Sequence, residues 1–182
     1  MAWSFAIGTV RGTVIRIHVT FFLLLAWIGA THAARGGIGD AVAGIAFISI
    51  VFACVLLHEL GHAAAARRYG IATPDITLLP IGGLARLDHI PEEPWREIAI
   101  ALAGPAVNVA ICLVLAALLG GMPSAEEGLT VEDPRAGFLP RLFWVNAFLV
   151  LFNLIPAFPM DGGRVLRAAL ALRMPHAAAT RL

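Results

Sequence analysis

Four long segments of the sequence are almost entirely apolar. They span residues 17–34, 38–66, 96–119 and 138–158, and a further helix is expected to start at residue 163. A helix of roughly 20 apolar residues is long enough to cross the hydrocarbon core of a bilayer. Because hydrocarbon offers no hydrogen bonds to an open backbone, helices and closed barrels are the structures that cross it. The pattern therefore predicts an all-α polytopic membrane protein.

The composition excludes several classes of protein. Hydrophobic residues make up 59% of the 182 residues and charged residues 14%, whereas soluble domains have roughly half and roughly a quarter. A chain this apolar does not stay solvated and unfolded, and its net charge of +1 gives no sign of nucleic-acid binding. Cys54 and Cys112 both lie in apolar segments, where thiols usually pack as small hydrophobic groups. The expected surrounding is a lipid bilayer, and no nucleic acid is expected as a partner.

The arginines indicate how the chain is oriented. Short cytoplasmic loops collect Arg and Lys, and most of the 13 basic residues fall in segments that a cytoplasmic N-terminus places inside. The segments on the other side contain only Arg35, Arg135 and Arg141. An alternative is that Arg11, Arg16 and the apolar residues after them form a cleavable signal peptide. The apolar segments that follow favour a retained first span with its N-terminus in the cytoplasm.

Residues 71–90 do not have the pattern of a membrane helix. Prolines and the pair Gly82 and Gly83 interrupt this segment, and β-favouring residues occupy 76–79 and 84–87. Such a pattern predicts a short β-hairpin around a glycine turn. The hairpin either re-enters the protein and lines a cavity, where its strand edges are satisfied, or lies in the cytoplasm. Composition favours neither alternative.

The strongest chemical signal is the sequence HELGH at residues 58–62, near the end of the second apolar segment. On a helix, residues four apart lie on the same face, so the imidazoles of His58 and His62 can bind one zinc ion. Glu59 then lies beside the metal as a general base that takes a proton from water. Ionisable residues at the end of a membrane span are costly without a function. The motif therefore predicts a catalytic metal site.

A catalytic zinc site usually has three protein ligands, so one more is expected. Asp161 is the most suggestive candidate, because Pro156 and Pro159 break an apolar helix directly before it. The alternative is that Asp161 caps a helix that starts at Gly162. The remaining candidates are His18, His32, His89, His176 and carboxylates near the ends of the spans.

Three motifs in this order resemble the site-2 protease family of intramembrane zinc metalloproteases, in its bacterial and archaeal branch. They are HELGH at 58–62, GPAVN at 104–108 and NLIPAFPMDGG at 153–163. Residues 15–20 are also similar to the group whose members often carry a C-terminal pair of nucleotide-binding CBS modules. No such module is present in the 182 residues, and the helix expected from residue 163 stops at Leu182 before it could cross a bilayer. A C-terminal part of the protein is therefore expected to be missing.

The resemblance implies roles for the site residues. His58, His62 and Asp161 would bind one zinc ion per chain, and Glu59 would be the catalytic base. The family cuts a peptide bond within or near a transmembrane segment of another membrane protein, which would be the partner of this chain. The implied location is a bacterial inner membrane, with the active site towards the cytoplasmic side.

Further residues are predicted to contact the substrate. The hairpin with Gly82 and Gly83 would offer a strand edge to an unwound substrate segment by β-augmentation. Asn153 resembles a family position that contacts the substrate or the oxyanion, although an interhelical hydrogen bond would explain it equally well. Asn108 and Gly104 are predicted to serve helix packing.

Two functions other than proteolysis are considered. An inactive zinc-binding membrane scaffold has no need of an acidic residue at Glu59, which is not predicted to be a ligand. A metal transporter would place polar groups along a path through several helices, whereas here they gather at one level. Proteolysis is therefore the favoured function, and no oligomeric state is predicted.

Overall fold

The computed structural model describes residues 3–86, 88, 91, 93–126 and 137–173. The fold is mostly helical, with one small sheet, which agrees with the predicted fold class in its coarse form. In chain order the elements are β1 (Ser4–Val10), β2 (Thr13–His18), α1 (Val19–Arg68), β3 (Asp75–Leu79), β4 (Gly82–Arg86), α2 (Pro94–Leu119), α3 (Phe138–Asn153) and α4 (Asp161–Ala171).

Helix α1 is broken at Gly37 into two arms that fold back on each other. Gly37 has φ 78° and ψ −166°, a conformation that a residue without a Cβ adopts at low cost. The rings of Phe21 and Phe52 lie 4.6 Å apart, and a Cβ on Gly44 would lie 2.8 Å from His32. The two arms, 19–36 and 38–68, are therefore antiparallel neighbours.

Helices α1 and α2 are long and apolar enough to cross a membrane. The arms of α1 and helix α2 agree within two residues with the predicted spans, whereas α3 ends at Asn153, five residues before the predicted end. Pro156 and Pro159 explain this early end, because proline cannot donate the hydrogen bond that a helix interior needs. The crossing of a bilayer by these elements stays a prediction.

The sheet is larger than the predicted hairpin. Its strand order is β1-β2-β3-β4, with antiparallel outer pairs and a parallel pair, β2 and β3, in the middle. The predicted hairpin is present as β3 and β4, whereas the N-terminal hairpin of β1 and β2 was not predicted. The first span was expected to begin at residue 17, but β2 continues to His18 and the helix begins at Val19.

The second arm of α1 is packed between the sheet and α2. Phe52 of this arm forms a buried cluster with Phe21 and Leu78, and Leu78 belongs to β3. On the other side α2 packs against α1, α3 and α4. Because α2 contacts all three helices, it positions α4 relative to the histidine-bearing arm of α1.

Candidate metal centre

Three predicted ligand side chains meet in the interior of the protein. His58 and His62 lie one turn apart on the second arm of α1, and their Nε2 atoms are 3.0 Å apart. The Asp161 Oδ2 atom is 3.2 Å from each of these nitrogens. All three residues are buried. Each therefore presents one potential ligand atom to the same point.

The carboxylate reaches this point because the chain turns sharply after α3. Asp161 is the first residue of α4, and the residue before it, Met160, makes no side-chain capping bond to the helix. A Cβ on Gly162 would lie 2.3 Å from the Leu154 carbonyl oxygen, so the turn and the helix start are in close contact. The carboxylate of Asp161 faces the imidazoles, and Asp161 does not occupy the capping position that the alternative predicted.

A chain of hydrogen bonds fixes the orientation of the His58 ring. Asn146 Nδ2 donates to the Leu142 carbonyl at 2.8 Å, and Asn108 Nδ2 donates to Asn146 Oδ1 at 2.8 Å. The Asn108 Oδ1 atom is thereby left to accept from His58 Nδ1, at 2.6 Å. Because a backbone carbonyl can only accept, it sets the direction of every bond in the chain. The proton of neutral His58 lies on Nδ1, and its Nε2 carries a lone pair.

His62 is oriented in the same way by a single contact. Its Nδ1 donates to the Ile100 carbonyl of α2 at 2.7 Å. With that proton placed on Nδ1, the Nε2 of neutral His62 also carries a lone pair. Metal-bound histidines commonly donate their other nitrogen to a carbonyl or carboxylate in this manner.

The three ligand atoms suit a zinc ion. Two lone pairs and a carboxylate oxygen at mutual distances of 3.0–3.2 Å repel one another unless a cation or a proton lies between them. Zinc bound tetrahedrally at about 2.0–2.1 Å separates its ligands by about 3.3 Å, close to the separations here. The donor set and its spacing therefore fit zinc.

Gly104 of α2 lies directly against the two imidazoles. A Cβ at this position would be 2.2 Å from His62 Nε2 and 2.7 Å from His58 Nε2. Side chains larger than hydrogen would therefore displace the ligands. The sequence predicts a helix-packing role for Gly104 and Asn108. In the structure, the lack of a side chain at Gly104 leaves space for the imidazoles, and Asn108 orients His58.

Glu59 lies outside the ligand cluster, beside the edge of the sheet. A Cβ on Gly83 of β4 would be 2.7 Å from Glu59 Oε1, so the carboxylate is packed against this strand. Glu59, His58, Gly82 and Gly83 line one groove of about 510 Å³. The structure therefore brings the predicted base and the two predicted hairpin glycines to the same cavity.

Asn153, at the end of α3, lines the same groove. Its Nδ2 donates to the Leu149 carbonyl of its own helix at 2.9 Å, and not to another helix. An amide has two N–H donors, so one N–H and the amide oxygen remain for other contacts. Among the described residues, Asn153 therefore does not form the interhelical hydrogen bond that was the alternative prediction.

Two other candidate histidines, His18 and His32, lie away from the cluster. His18 caps α1, where its Nδ1 accepts from the backbone N–H of Thr20, and His32 packs against Gly44. His89 and His176 lie outside the described residues. Sequence reasoning missed Asn146, although an amide in an apolar segment is itself a signal of a functional contact.

Comparison with known proteins adds a family to this geometry. A family model described as Peptidase family M50 matches residues 46–132 and 119–181, which together make up more than half of the chain. The chain belongs to peptidase family M50. The matched residues include both histidines, Glu59 and Asp161.

Individual relatives of this M50 chain include a protein named as a zinc metalloprotease and a sporulation protein. A zinc metalloprotease of Methanocaldococcus jannaschii is 38% identical over 182 residues, which are 100% of this chain and 50% of the relative. Stage IV sporulation protein FB of Bacillus subtilis is 32% identical over 93% of this chain and 52% of its own length. The chain thus spans about half the length of these curated relatives.

A solved structure agrees with the fold. The site-2 protease from Methanocaldococcus jannaschii matches this M50 chain with a TM-score of 0.70 and 36% sequence identity. The match covers 98% of this chain and 77% of that chain. The fold described above is therefore that of a site-2 protease core.

Proposed function

We propose that this chain is the catalytic core of an intramembrane zinc endopeptidase. It hydrolyses a peptide bond within or near a transmembrane segment of a membrane-protein substrate. The observation that carries the proposal is a buried group of three ligand atoms, beside which a separate carboxylate lines a groove. A scaffold needs only the ligands, whereas a hydrolase also needs a base such as Glu59.

The proposed zinc site has His58, His62 and Asp161 as its ligands and holds one ion per chain. A bound zinc ion supplies Lewis acidity to a water molecule and to the peptide carbonyl. Glu59 takes a proton from the attacking water and returns it to the leaving nitrogen as the C–N bond breaks. Asn108 and Ile100 keep the imidazoles in the orientation that ligation requires.

The proposed substrate is an extended, apolar peptide segment. Strand β4 is an edge strand of the sheet, and it runs along the groove that Glu59 lines. An edge strand pairs with an extended segment through backbone hydrogen bonds, which a helical substrate must first release. Leu149 and Phe152 give the groove apolar walls, and Asn153 offers a polar contact at the same place.

The proposed setting is the membrane. Large apolar side chains such as Leu113 and Leu118 of α2 are exposed, as lipid-facing positions are. We propose that the arms of α1, α2 and α3 cross the bilayer and that α4 begins a further membrane segment. The excess of arginines supports a cytoplasmic N-terminus, with the zinc site towards the cytoplasmic side of a bacterial inner membrane.

The experiment measures zinc content and cleavage of a labelled transmembrane peptide on the same detergent-purified samples. Wild type is expected to hold about one zinc per chain and to cleave the peptide. Glu59→Gln should keep its zinc and lose cleavage by about 100-fold or more, because a general base is removed. Asp161→Ala should lose zinc and cleavage together.

The matched control is Glu93→Gln, which neutralises an exposed carboxylate before α2. It should leave zinc and cleavage unchanged. Cleavage that survives in Glu59→Gln would contradict the proposed base. Zinc without cleavage in wild type would favour the scaffold.

A further inference from the structure

A second charged pair is buried in the protein, apart from the ligand cluster. Glu97, in the first turn of α2, is 0% exposed, and Arg167 of α4 is 9% exposed. Arg167 Nη2 donates a hydrogen bond to Glu97 Oε1. The guanidinium also lies over the ring of Phe158, 5.3 Å from its centroid. Arg167 therefore contacts both α2 and the turn that leads to Asp161.

This pair is not explained by stability alone. Burial of two charges carries a large desolvation penalty, and apolar residues of similar size in their place often leave a protein equally stable. Two other ion pairs among the described residues differ in kind, since Arg86–Asp75 and Arg96–Glu93 have at least one exposed partner. A chain composed mainly of apolar residues retains a buried pair here, which calls for a role that apolar packing does not fill.

The position of the pair suggests that role. Glu97 lies one turn before Ile100, whose carbonyl accepts the hydrogen bond from His62. Arg167 lies six residues after Asp161 on the same helix, about 9 Å along its axis. The pair therefore fixes α4 relative to the turn of α2 that orients His62.

The carboxylate, unlike the imidazoles, is placed by the packing of a separate helix. Helix α4 has 11 residues, packs on α2, and is preceded by the non-helical turn at 154–160. A rotation or a slide of this short helix on α2 would move Asp161 away from His58 and His62. The imidazoles have no such freedom, because they belong to one continuous arm.

We propose that Glu97 and Arg167 are a positioning pair, which holds Asp161 against the two imidazoles. Neither side chain contacts the ligand atoms, so both act through the placement of α4. The proposal rests on the proposed function, because the zinc affinity of the cluster is its readout.

The test uses Glu97→Gln, Arg167→Met and the double variant of both. Each single variant removes one charge of the pair and keeps the other buried, so stability falls and zinc affinity weakens by about 10- to 100-fold. The double variant removes both charges and should regain a thermal midpoint near that of wild type. Its zinc affinity should stay about 10-fold weaker, because Asp161 is no longer fixed.

Zinc affinity is measured by competition with a chromogenic chelator, and the thermal midpoint is measured on the same samples. Glu93→Gln is the matched control. It makes the same change four residues before Glu97, where it breaks an exposed ion pair with Arg96. Its affinity should remain within about 2-fold of wild type. Absorption spectra with Co²⁺ in place of zinc report whether the carboxylate still ligates. They should change in the double variant and not in the control.

The outcomes separate this proposal from the proposed function. A double variant with the zinc affinity and the Co²⁺ spectrum of wild type would overturn the positioning role. Weaker zinc binding in Asp161→Ala would in that case still support the ligand cluster. Absence of zinc from wild type would overturn both. Should the single variants unfold, the double variant and Arg167→Lys, which keeps the charge, supply the same comparison.

Discussion

The two parts of the ligand cluster are held in different ways. His58 and His62 lie on one continuous helical arm, so their separation follows from the helical repeat alone. Asp161 follows a non-helical turn and comes to the imidazoles through that turn and the packing of α4 on α2. The difference teaches that two ligands are fixed by local structure, whereas the third depends on tertiary contacts far along the chain.

The largest effect is expected from a change that breaks the helical part directly. In Gly104→Ala the new methyl group would lie 2.2 Å from His62 Nε2, so the imidazoles must move apart. Zinc affinity should fall by about 100-fold or more, the upper range for disturbed metal surroundings.

Gly121→Ala is the matched control, because nothing lies within 4 Å of a Cβ at that position. Zinc titration of both variants checks the prediction. Equal affinities would mean that the imidazoles do not occupy the position described here.

A smaller effect on zinc affinity is expected from a change in α3, because the orientation of His58 depends on a long-range hydrogen-bond chain. Asn146→Leu removes the acceptor that orients the Asn108 amide, so that amide is free to turn its N–H towards His58. Zinc affinity should weaken by about 10-fold, because the His58 tautomer is no longer imposed.

Isothermal titration with zinc measures this change. Asn153→Leu provides the comparison, since its amide bonds to its own helix and should leave zinc affinity as it is. A loss of affinity of the same size in both variants would rule out the specific hydrogen-bond chain.

Spacing along the sequence predicts the local part of the cluster. Asp161 could be named from the helix break before it and from the resemblance to site-2 proteases, but the side chains that surround the cluster could not be named. The HELGH spacing and the apolar runs depend on neighbours within a few turns, so His58, His62 and the long helices could be predicted. The role of Asn146 and the contact of Gly104 with the imidazoles depend on which helices meet. Spacing along the chain carries no information on that.

The N-terminal hairpin shows a different kind of miss. Residues of β1 and β2 surround a two-residue turn at Arg11 and Gly12, both with positive φ, which is typical of a tight hairpin. The Arg-Gly turn is visible in the sequence, but the apolar residues after it predict a membrane span that starts at residue 17. The pairing of β2 with β3 joins distant segments, which sequence patterns alone do not specify.

The smallest effect is expected from a change that leaves both parts of the cluster intact. In Gly83→Ala the methyl group would lie 2.5 Å from Glu59 Cγ, so the carboxylate shifts while the ligands stay. The rate of peptide cleavage should fall by about 10-fold, less than the loss of about 100-fold or more expected when the base is removed, with zinc affinity unchanged.

Gly8→Ala is its counterpart on β1, the opposite edge strand, where a Cβ would meet nothing within 4 Å. Steady-state cleavage and zinc titration of the two variants separate the carboxylate from the ligands. A loss of zinc in Gly83→Ala would place the strand against the ligands and not against the base.

The central claim is that ligands from a helix and from a distant turn hold one metal ion together. X-ray absorption at the zinc edge of the purified chain tests it most directly. The expected spectrum contains two imidazole nitrogens and a carboxylate oxygen, and the oxygen contribution from the protein disappears when Asp161→Ala is reloaded with excess zinc. A spectrum with sulfur ligands, or one that is unchanged in Asp161→Ala, would contradict the account.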